Sequence, residues 1–94
     1  MHSLEARLSE ILIQNNVITM LHTPDHQVID LFIARNTPQW FHLVLPAKQN
    51  IVSVPRAVGY VLTTLGTVQQ KKALLNAVGP TVYGSLVAAV LEAQ

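Results

Sequence analysis

The sequence predicts an α+β domain made of an N-terminal helix, a three-stranded antiparallel β-meander and three C-terminal helices. Three observations lead there. Apolar residues recur at helical spacing up to residue 14, the period shortens to two between Val17 and Leu45, and the helical repeat returns after Asn50. The 94 residues are the length of a single domain, with residues 1–46 forming the helix and meander and residues 51–94 the helical part.

The first helix follows from Leu4, Leu8, Ile11 and Leu12, which line one face, while Glu5, Arg7 and Glu10 fall between them. Ser3 occupies the N-cap position, and Asn15-Asn16 supplies residues that tolerate the left-handed backbone in which helices end. The strands are expected at Val17 to His22, Gln27 to Arg35 and Gln39 to Leu45. Thr23-Pro24-Asp25-His26 and Asn36-Thr37-Pro38 are the hairpin turns between them. Alternation places Ile29, Leu31 and Ile33 on one face, and Val28, Asp30, Phe32 and Ala34 on the other. In the third strand Phe41, Leu43 and Leu45 oppose Trp40, His42 and Val44, so Phe41 is the expected core aromatic and Trp40 the exposed one. The helices can cover only one face, and the other is no more than half polar.

Pro46 closes the third strand, and Ala47-Lys48-Gln49-Asn50 reads as a linker. Ser53 caps the next helix with Pro55 in its first turn. Its stripe of Val54, Val58, Val61, Leu62 and Leu65 is expected to run to Gly66. A third helix spans Val68 to Val78, with Leu74, Leu75 and Val78 apolar, and Gly79-Pro80 stops it. The last begins at Thr81. It carries Val82, Leu86, Val87, Val90 and Leu91 and has no charge before Glu92, so it is apolar nearly all round.

Composition narrows the function. Half of the residues are hydrophobic and only 12% are charged, against about a quarter in an ordinary soluble domain. A chain this short has too much surface to hide such an excess, so apolar side chains are expected outside, where they mark a contact. The net charge of +1 creates no field that would attract nucleic acid or an anionic membrane. With no cysteine there is no disulfide, thiolate ligand or cysteine nucleophile. Neither a secretory leader nor a membrane span is expected, because Glu5 and Glu10 interrupt the N-terminal segment and the stretch from Thr81 to Leu91 is too short. A cytoplasmic location is the corresponding expectation.

Chemistry has few candidates. His22 and His26 flank the first turn with Asp25 between them. With His42 in the third strand they could in principle form a nitrogen or mixed nitrogen and oxygen metal site, but in a simple meander His42 comes only partway toward that turn. Asp30 and His42 are the best acid–base pair as cross-strand neighbours, but such a pair is ordinarily a sheet-surface contact. Gly59, Gly66, Gly79 and Gly84 belong to no nucleotide-binding pattern and no nucleophile elbow occurs. No metal, cofactor or catalytic residue is therefore assigned.

The expected function is a non-enzymatic interaction or assembly subunit that associates with itself or another protein. Its contact is the last helix or the second sheet face, carried by Trp40, Val82, Gly84, Leu86, Val87, Ala88, Val90 and Leu91. Gly84 and Ala88, like Ser85 and Ala89, are four apart, which lets another backbone come close. The alternative is a small dimeric DNA-binding regulator with a helix-turn-helix-like C-terminal region, offering Arg56, Gln69, Gln70, Lys71 and Lys72 to bases and phosphates.

Overall fold

The protein, seen in a computed structural model, is described over residues 3–22, 28–35, 41–46, 51 and 53–94. Its elements are α1 (Leu4–Gln14), β1 (Val17–His22), β2 (Val28–Arg35), β3 (Phe41–Pro46), α2 (Val54–Val61), α3 (Val68–Val78) and α4 (Pro80–Glu92). The order is that of the predicted α+β arrangement. Both hairpin turns, the linker from Ala47 to Asn50, and Trp40 lie outside the described residues.

α1 begins at Ser3, whose hydroxyl accepts the Ala6 N–H at 3.1 Å, and Glu5 adds a negative charge near the positive end of the helix. Asn16 takes φ 57, the left-handed conformation that asparagine tolerates, and turns the chain directly into β1. The sheet has the order β1-β2-β3, antiparallel throughout. Register sets Leu21 opposite Leu31 and Leu31 opposite Leu43. In the row on one side of it Met20 is opposite Phe32 and Phe32 opposite His42, and in the row on the other side His22 is opposite Asp30 and Asp30 opposite Val44.

The helices pack on one side of this sheet, α3 over β2 and β3 and α1 at the β1 end, with α4 against both α1 and α3. Val17, Leu31, Ile33, Leu43 and Leu45 enter the core from the strands, and Leu8, Val58, Val61, Leu74, Val78, Val82 and Leu86 enter it from the helices. Each such aliphatic side chain contributes about 1.5–3 kcal/mol by leaving water. Phe41 lies on the core side, as expected, but at its margin and only partly buried.

α2 is shorter than its apolar stripe implies. The Thr63 hydroxyl donates to the Tyr60 carbonyl at 2.7 Å and the Gly66 N–H reaches the Thr63 carbonyl at 3.2 Å, so the chain curls off the helix after Val61. Gly66 then passes so close to the end of α2 that a Cβ there would lie 2.0 Å from the Val61 carbonyl oxygen. Leu65, expected on the buried stripe, is consequently 59% exposed.

Gly79 serves as the C-cap of α3 and the N-cap of α4 at φ 87, a backbone that suits glycine. Pro80 follows at the first helical position, so α4 starts one residue earlier than the sequence suggested. The Arg35 guanidinium donates through Nη1 to the Val78 carbonyl at 2.9 Å, placing a cation at the negative end of α3.

Candidate interaction surface

α4 divides cleanly. Val82, Leu86, Ala89 and Val90 face inward and are buried, while Gly84, Ser85, Ala88 and Leu91 face solvent and Val87 is half-buried. Val82, Leu86 and Val90 thus belong to the chain's own core and are not accessible to a partner. The contact expected on α4 shrinks to a row of small residues with Leu91, and around Gly84 there is open space.

The residues proposed for DNA are mostly engaged within the chain. Arg56 forms an ion pair with Glu5 on α1. The side chain of Gln70 accepts the Thr67 N–H at 2.9 Å while the Thr67 hydroxyl accepts the Gln70 N–H at 3.0 Å, a reciprocal cap on α3. The same Gln70 donates through Nε2 to the Val44 carbonyl at 2.9 Å, and Lys71 Nζ donates to the Gly66 carbonyl at 3.1 Å. Gln69 and Lys72 alone of the five have no such bond and stand in solvent. Two side chains are a small footprint for phosphate neutralisation.

Among the described residues, histidines and acids do not gather into a centre either. His42 is opposite Phe32 and Asp30 opposite Val44, so the pair read as cross-strand neighbours is diagonal, and the histidine that Asp30 does oppose is His22, on β1. His42 lies edge-on to the Phe32 ring, with centroids 5.5 Å apart. Among the described residues no three His, Asp or Glu side chains come together as a metal site would require.

What the fold does expose is the far side of the sheet. Ile18 is 60%, Met20 54% and Val44 50% exposed, with Phe32 half-buried among them and His22, Asp30 and His42 interspersed on the same face. Ala34, on the same side, is buried apart from the main core cluster. Ile18 and Met20 were not singled out in the sequence. Strict alternation with Val17, Thr19 and Leu21 identifies two faces of β1, yet both are apolar and the pattern cannot say which one the helices take.

Comparison with known proteins adds nothing to this geometry. No protein-family model, characterised protein or solved structure matches the chain.

The two edges of the sheet differ. The β3 edge is covered by the first turn of α3, where His42, Val44, Thr67, Gln69, Gln70 and Ala73 line a shallow cleft and Gln70 holds the Val44 carbonyl. Pro46, which has no N–H, ends that strand. No side chain or loop among the described residues hydrogen bonds to the outer edge of β1.

Proposed function

We propose that this chain is a non-enzymatic assembly subunit that associates with a second copy of itself through the uncovered, β1-side of its sheet. The observation that carries the reading is the exposure of Ile18, Met20 and Val44 on a sheet whose opposite face holds the core. Burial of the half or so that each still exposes would return roughly 1–1.5 kcal/mol before the costs of association, and exposed apolar side chains gathered on one face mark contacts. β1 carries no charged residue, so bringing two copies together there opposes no like charges. The low charge content, puzzling in a domain that stands alone, has a use in one that pairs.

Sedimentation across a dilution series tests this. The wild-type chain is expected to show a concentration-dependent dimer, and Met20→Lys a monomer with unchanged circular dichroism, since Met20 touches water and not the core. Ala88→Glu, on the exposed side of α4, is expected to alter neither. A wild-type monomer at every concentration overturns the reading, as does dissociation by Ala88→Glu without any effect of Met20→Lys. A shift of nonspecific DNA that weakens with salt would favour the DNA-binding alternative.

A further inference from the structure

The hydrogen-bond pattern of the sheet determines which groups of β1 are free. In an antiparallel ladder alternate residues point both N–H and C=O toward one neighbour, and the residues between them point both away. The Val44 carbonyl is taken by Gln70, so it points outward from β3, and Phe41, Leu43 and Leu45 are the residues bonded to β2. Phe32 and His42 then form a non-bonded pair, the kind that brings side chains closest, in keeping with their ring contact. Carried across the register to β1, the alternation turns Ile18, Met20 and His22 toward β2. Val17, Thr19 and Leu21 are left with their N–H and C=O groups directed outward, where no described residue hydrogen bonds to them.

We propose that this edge receives the β1 edge of a second copy, antiparallel about a twofold axis at Thr19, to make one continuous six-stranded sheet. The inference rests on the self-association reading above and gives it a geometry. Only one register uses all three outward residues: Thr19 bonds the second copy's Thr19, Val17 bonds its Leu21, and Leu21 its Val17. In that same register Ile18 stands opposite the second copy's Met20 on the uncovered face, and Met20 opposite its Ile18. The two most exposed large apolar side chains among the described residues of that face thus stand against each other. No charged side chain enters the seam.

Area decides how strong such a pair can be. Five residues make an edge about 17 Å long and, with side chains, about 10 Å deep. That strip is smaller than the roughly 800 Å² per partner of a standard stable interface. The remainder has to come from the helical layer beside it, where α1 packs at the β1 end and carries the exposed Ile13 in its last turn. The dimer is accordingly a reversible one that dissociates on dilution.

The chain has no cysteine, so single introduced thiols report on the seam without background. Ile18→Cys and Met20→Cys both replace exposed side chains and are expected to keep the fold. Mixed in equal amounts under mild oxidation, they are expected to form a disulfide-linked dimer about tenfold faster than either variant alone, because only the mixed pair is held face to face. In the wild-type protein the Thr19 and Leu21 amides are expected to exchange more slowly as concentration rises, whereas those of Met20 and His22 are already protected within the sheet. If the protein dimerises but the mixture shows no advantage and these amides ignore concentration, the edge pairing is wrong and self-association stands. If the wild-type chain stays monomeric, both fall.

Discussion

Leu86→Ala is expected to cost about 3–5 kcal/mol of folding stability while leaving assembly untouched in the fraction that remains folded. Leu86 sits mid-way along α4, fully buried, where α4 meets α1 and α3. Truncation removes three carbons and leaves a cavity between helices that are already packed against the sheet and cannot simply close upon it. A domain of this length holds on the order of 5–14 kcal/mol in all, so the loss is a large fraction of the total. Urea denaturation measures it: the midpoint should drop with an unchanged slope. A loss below about 1 kcal/mol, together with weaker association, would mean that α4 is the contact after all and that the sheet has been assigned the wrong role.

The second large effect is expected at Gly66, where Gly66→Ala should destabilise by about 3 kcal/mol, at the upper end of overpacking costs. The reason is proximity and not an unusual backbone. The added methyl would meet the Val61 carbonyl oxygen at 2.0 Å and the Val61 carbonyl carbon at 2.7 Å, and both belong to the main chain at the end of α2. Neither can swing aside as a flexible side chain would, so the turn that leads into α3 must shift. Gly84→Ala is the matched control. It lies inside α4 with nothing within 4 Å of the new methyl, and should stabilise by about 0.5–1 kcal/mol through helix propensity. Thermal melts of the two variants beside the wild type give both numbers, and equal destabilisation by the pair would refute the packing argument.

The element order was legible because period and punctuation agree along most of the chain. Ser3, Asn15-Asn16, Ser53 and Gly79-Pro80 each mark a boundary by a local mechanism that tertiary structure does not override. The end of α2 was not legible, since the stripe through Leu65 continues the helical repeat. What ends the helix is the Thr63 hydroxyl bonding back to Tyr60 and the contact of Gly66 with Val61, which periodicity does not see. The role of Gln70 had a visible signal in Thr67-x-x-Gln70, a capping-box spacing, and reading Gln70 as a base-contacting residue overlooked it. The contact surface was only half readable. An apolar second face was evident in β2 and β3, but β1 is apolar on both sides, and deciding that Ile18 and Met20 stay outside requires knowing where α1 lies. On α4 the reverse held: the sequence shows an excess of apolar residues, and only the packing shows which of them are spent on the core.

Gln70 joins two hydrogen-bonding systems that are separate in most domains. Its Oε1 completes the cap of α3 and its Nε2 occupies the one β3 carbonyl shown to be held from outside the sheet. The cap of α3 and the hold on that carbonyl therefore share one side chain, and loss of either weakens the other. A sheet with one edge shut pairs once about a twofold axis and is then complete, whereas a sheet with both edges available adds copies head to tail without a natural end. On the proposed geometry the first turn of α3, with Gln70 on the Val44 carbonyl, hinders a third copy from adding at the far edge.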